Sequence, residues 1–265
     1  MTMAATTHER RPAPRQAAGG GLPGAIAAEW TKLWGLRSTW LCLAVAVLAT
    51  GGTALLAALA LNAGDSTETL PVNALATTSV LLSQFALVAV AALTVTGEYA
   101  TGAMRTTLTT VPDRARMLLA KAAVLAVAVS VTGLVAGASS IAATAGVFGD
   151  AAVFETAYVV HGTVGTAGYL LAVSLFTLGL GLVMRSTAGA ITTAVAVLMA
   201  IPMISQMIGD ETVTRIVDHL PATAGMPLMI GVDNPYGWGT GALLLAGWAA
   251  LALAAGYAVL SRRDA

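Results

Sequence analysis

The 265-residue sequence predicts an all-α, polytopic membrane protein, and three observations carry that prediction. The chain is 57% hydrophobic, only 10% charged, and has a mean hydropathy of +0.81. A soluble domain is nearer 45–50% apolar and about 25% charged. Six segments are long and apolar enough to cross about 30 Å of hydrocarbon, which takes about 20 residues of helix. Lys and Arg fall almost entirely on one side of those segments. Net charge is zero, so no nucleic acid or other bulk polyelectrolyte is implied as a partner. The single cysteine, Cys42, has no intrachain partner for a disulfide.

Residues 1–21 are polar and rich in Ala, Pro and Gly, and read as a disordered tail. Residues 22–265 read as one six-span membrane domain.

Leu22–Ser38 precedes the first span. Ile26, Trp30, Leu33 and Trp34 share one helical face, with Glu29 and Lys32 away from it. That pattern suits an interfacial elbow helix with Trp at headgroup depth and a snorkelling Lys. Arg37 breaks the pattern, and Gly35 offers a turn into the span. A plain helical extension of the span is the alternative.

The six spans are Thr39–Leu61, Leu75–Thr96, Leu118–Phe148, Gly162–Met184, Thr187–Ile208 and Gly239–Leu260. The third is long and is expected to tilt or break near Gly133 or Gly137. Their G-x-x-x-G spacing, with Gly179 and Gly181 later, favours close helix contacts within the chain over a dimer seam. Only Arg185 and Ser186 separate spans four and five, which forces a tight hairpin. Pro202 is expected to kink span five.

Between spans two and three, Tyr99–Val111 reads as an amphipathic helix. Ala100, Met104, Leu108 and Val111 share one face; Glu98, Gly102, Arg105 and Thr109 share another. Pro112 ends it. Such a helix has a polar side to offer a soluble partner. Equally, a basic loop there merely obeys the topology rule. The outer loops Asn62–Ala74 and Gly149–His161 are short and acidic. Asp210–Trp238 is long, with apolar patches near Ile216 and Leu228–Ile230 that suit surface helices, a re-entrant element or an unstructured acidic loop.

Twelve cationic residues, Arg10, Arg11, Arg15, Lys32, Arg37, Arg105, Arg114, Arg116, Lys121, Arg185, Arg262 and Arg263, lie on one side and only Arg215 on the other. The positive-inside rule then puts both termini in the cytoplasm.

Span interiors read as free of ionisable groups, which disfavours an ion-coupled carrier. The neutral polar residues Ser83, Gln84, Ser139, Ser140, Ser174, Ser205 and Gln206 are expected mostly to hydrogen-bond between helices, with a minority lining a substrate path. No H-e-x-x-H, G-x-S-x-G or phosphate-loop motif occurs, so no catalytic, metal or cofactor residue is expected in this chain.

Several segments together carry a resemblance: AEWTKLWGLRSTW before span one, TGEYATGAMRTTLTTVPDRARMLLAK after span two, MRSTAGAI at the hairpin, HLPATAGMPL in the last outer loop and LSRRDA at the end. From about Ala28 onward the chain resembles the permease subunits of type-2 ATP-binding-cassette (ABC) exporters, in the small six-span form common in actinobacteria. The resemblance implies a bacterial cytoplasmic membrane location. It also implies a separate cassette ATPase that holds ATP and Mg, and a second permease, identical or paralogous. Glu98, Tyr99, Gly102, Arg105 and Leu108 would sit on or beside a coupling helix ended by Pro112 and docked on the ATPase. The elbow helix and a partly re-entrant last outer loop also belong to that family. A non-transporting immunity or sensor subunit on the same fold is the alternative function.

Overall fold

In a computed structural model, the protein is described over residues 20–63, 69–110 and 113–262. The described residues are helical almost throughout. Helix α1 covers Gly21–Gly35, α2 Arg37–Asn62, α3 Ala76–Thr101, α4 Ala103–Thr110, α5 Arg114–Phe148, α6 Thr156–Met184 and α7 Thr187–Ile208. Then come α8 Glu211–Val217, α9 Pro221–Ile230 and α10 Trp238–Arg262. Six of these, α2, α3, α5, α6, α7 and α10, are long and apolar enough to cross a membrane. Large apolar side chains stand exposed on them, among them Leu48, Met207 and Leu243. That surface suits a lipid solvent and no other. The chain is a multi-pass membrane protein in architecture.

Helix α6 is the most buried of the six and α7 the least. α6 packs against α3, α5 and α10, so it forms the centre of the bundle. Small residues permit this. A Cβ on Gly133 would lie 2.7 Å from Ala167 Cα, and one on Gly137 2.4 Å from the Gly162 carbonyl. These glycines admit the backbone of α6. They do not break α5, which runs unbroken for 35 residues, so the expected break is absent. Gly179 plays the same part against Ala252 of α10.

Hydrogen bonds between neutral side chains add to the packing. Thr50 donates to Ser83 at 2.8 Å, Ser140 to Ser79 at 3.1 Å, and Tyr169 to Gln84. These link α2 to α3, α5 to α3 and α6 to α3. Each satisfies a group that hydrocarbon would leave unpaired.

The hairpin between α6 and α7 is as tight as its two residues require. Arg185 takes a left-handed φ of 54°, and the Ser186 side chain caps α7 by accepting from Gly189 N at 3.3 Å. In α7 the backbone widens to a π turn over Ala196–Ala200, which ends two residues before Pro202. Proline cannot donate to the preceding turn, and the widened turn makes room for its ring.

At the other end, Leu70–Pro71 (β1) pairs in parallel with Ala152–Val153 (β2). The long connection between α7 and α10 is ordered as α8 and α9, which excludes the unstructured reading. Asn73 Nδ2 holds α9 in place by donating to the Ile230 carbonyl at 2.9 Å and to Met229 at 3.3 Å.

Candidate functional site

Among the described residues, Lys32, Arg114, Lys121 and Arg185, four of the cations that the sequence places on one side, lie at one end of the bundle. Arg185 of the hairpin lies over the Tyr99 ring, 5.1 Å from its centroid. Thr187 shares a 2.7 Å hydrogen bond with Thr96. Arg114 donates to the carbonyls of Leu260 and, at 2.9 Å, Ser261, so it caps the end of α10.

At the heart of that end lie four ionised side chains from three helices. Lys121 Nζ, on α5, is 2.7 Å from Glu29 Oε2 and 2.7 Å from Glu98 Oε1. Lys32 Nζ, on α1, is 2.7 Å from Glu29 Oε1 and 2.8 Å from Glu98 Oε1. It also donates to Thr107 Oγ1 of α4 at 3.2 Å. Two carboxylates and two ammoniums alternate, so the quartet is neutral as a whole. The Lys121 side chain is only 1% exposed. A cation so deeply buried persists only when paired and hydrogen-bonded. Its third donor supplies the Thr94 carbonyl at 3.3 Å. Burial alone would lower the pKa of Lys32, but hydrogen bonds to Glu29 and Glu98 and their charges outweigh it and hold the ammonium above its ordinary range.

This arrangement revises the reading of α1. Its buried stripe is Ala25, Glu29 and Leu33. Glu29, expected off the apolar face of the helix, is turned inward and pairs with Lys121. Of the four expected elbow residues, Leu33 is buried, Ile26 and Trp34 are half-buried, and Trp30 is exposed. Trp34 sits between Trp30 at 5.5 Å and Trp40 at 4.6 Å. The chain turns at Leu36, whose backbone is extended, one residue beyond Gly35.

The segment after span two is revised too. It is not one amphipathic helix from Tyr99. Gly102 takes a left-handed φ of 72° and ends α3, and α4 begins afresh at Ala103. Glu98 and Tyr99 therefore belong to the end of α3 and face the protein. In α4, Met104 and Thr107 are buried, while Arg105, Thr106 and Thr109 are exposed. Leu108 lies in α4, but its side chain and Pro112 fall outside the described residues. Asp113 caps α5 by accepting from Ala115 N and Arg116 N, both at 3.1 Å.

The sequence carried a signal for this quartet. Lys121 stands three residues inside the third apolar segment and is buried there, so the expectation that span interiors are free of ionisable groups fails at this position, where such a group requires a partner. Glu29 and Lys32 are spaced i, i+3. What the sequence lacks is the helix arrangement that brings positions 29, 98 and 121 together. No protein-family model matches the chain, and no curated protein matches it.

Proposed function

We propose that the protein is the membrane-spanning subunit of an ATP-driven exporter, worked by a separate cassette ATPase docked at the charged end. The observation that carries this reading is the anchoring of α4. This short helix offers Arg105, Thr106 and Thr109 outward. Its inner face is fixed through Met104 and through the Lys32–Thr107 hydrogen bond to the quartet. The quartet in turn locks α1, α3 and α5 together. A push on α4 is thereby transmitted to two spans and to the helix that precedes a third. Without such an anchor, a surface helix would absorb the displacement locally.

On this reading the charged end faces the cytoplasm, α1 lies along the inner interface, and α4 enters a groove on the ATPase. ATP acts through its different affinity for the states of the assembly. The permease rocks between inward-open and outward-open forms, in a pair with a second copy or a paralogue. It performs no chemistry of its own.

The test is capture of the partner. The tagged chain, gently solubilised from its native membrane, is expected to retain a cassette ATPase. Arg105→Glu with Thr109→Glu, both on the exposed face, should abolish capture while the variant still inserts and elutes as a folded protein in detergent. An ATPase retained equally by that variant would sink α4 as the docking helix. A correctly folded native chain that retains none would sink the exporter reading and favour the non-transporting one.

A further inference from the structure

A cavity of about 530 Å³ lies at the opposite end of the bundle, between α3, α6, α7, α8 and α9. Its size falls in the range of small-molecule sites, about 300–1,000 Å³. The walls are mainly apolar, with Leu81, Leu198 and the flexible thioethers of Met199, Met203, Met226 and Met229. Methionine walls adapt to occupants of different shape. Tyr169 and Gln84 also line it, but they satisfy each other: Tyr169 donates to Gln84 Oε1, and Gln84 Nε2 donates to the Leu81 carbonyl at 3.0 Å.

Ser205 also lines the cavity and is 3% exposed. Asp218, at the end of α8, is half-buried. Its backbone carbonyl accepts from Tyr236 Oη, but its carboxylate has no ion pair among the described residues. The nearest cation in sequence, Arg215, is engaged by Glu211 at 2.6 Å. No Lys or Arg lines the cavity. The site therefore joins apolar walls to one uncompensated negative charge.

We infer that this cavity binds a lipophilic monocation, an ammonium or phosphonium carried on aromatic rings, with its charge toward Asp218. On the exporter reading, on which its role as cargo rests, this is the class of molecule moved. A lipophilic anion of the same shape binds more weakly, because the carboxylate repels it. A neutral analogue keeps the wall contacts and gains the Ser205 hydroxyl if it carries an acceptor.

Three probes of similar shape test this on the purified full chain in detergent, with empty micelles as the blank. They are tetraphenylphosphonium, tetraphenylborate and neutral triphenylphosphine oxide. The phosphonium should bind about tenfold or more tighter than the borate. Asp218→Asn should erase that preference and leave the phosphine oxide within about twofold. Ser205→Ala should weaken only the phosphine oxide. Asp218→Asn is expected to fold normally, because Tyr236 bonds the backbone and not the carboxylate. Borate bound as tightly as phosphonium, or a preference indifferent to Asp218→Asn, overturns the inference. Binding needs no ATPase. Intact phosphonium binding with failed ATPase capture therefore sinks the exporter reading alone, and the converse result sinks the cargo class alone.

Discussion

Lys121 shows how one residue shapes its surroundings. Its ammonium is out of reach of water and lies within 2.7 Å of two carboxylates. Taking a charge out of water is costly, and removing one partner of a buried pair costs about 3–5 kcal/mol. Lys121→Met should therefore destabilise the protein by about that amount, measured as loss of folded protein in detergent on heating or denaturation. Adding Glu98→Gln should recover part of the loss, because the second change removes a stranded carboxylate. Additive losses in the double variant would show that the two residues do not act on each other. Of the neutral polar residues, Ser83, Gln84 and Ser140 make interhelical bonds as expected. Ser139 instead donates to Ala136 of its own helix, Ser174 Oγ is buried with no partner among the described residues, and Ser205 and Gln206 line a cavity.

Among the elements, α5 is the clearest case of composition acting through packing. It carries three glycines with different surroundings. Gly133 and Gly137 face the backbone of α6, while a Cβ on Gly146 would meet nothing within 4 Å. Gly137→Val pushes a methyl-bearing carbon into the Gly162 carbonyl and should cost about 1–3 kcal/mol or more, since the overpacked backbone cannot yield. Gly146→Ala, in open space on the same helix, should gain about 0.5–1 kcal/mol. Thermal unfolding of both variants checks the pair. Equal effects would mean that α5 and α6 do not pack as described. The same comparison explains why the expected break in α5 is absent. Glycine in a helix permits a break, but here the backbone of the neighbouring helix occupies the space of the missing side chain and α5 runs on uninterrupted.

For the whole molecule, the consequence is a bundle with two unlike ends. One end holds the quartet, α4 and the cationic residues; the other holds α8, α9 and the methionine-lined cavity. On the proposed orientation the first end faces the cytoplasm. With Cys42 replaced by Ala, a cysteine at Ser261 should resist an impermeant maleimide added to intact cells, while one at Thr212 should react. Both positions are exposed on the protein. The reverse pattern would invert the topology and remove the docking proposal, since α4 would then face away from any ATP.

The six spans, their approximate ends, the tight hairpin and the one-sided charge were all legible in the sequence. Each depends on local hydropathy or on local charge, and neither requires knowing which helix touches which. Tertiary structure decided the rest. It turned Glu29 inward, ended α3 at Gly102, and drew Glu29, Lys32, Glu98 and Lys121 into one neutral cluster. It also set Ser205 and Asp218 around a shared cavity. The physical reason is common to all of these. A buried charge or hydroxyl is placed by the partner it must find, and in a helical bundle that partner comes from another helix, far away in sequence.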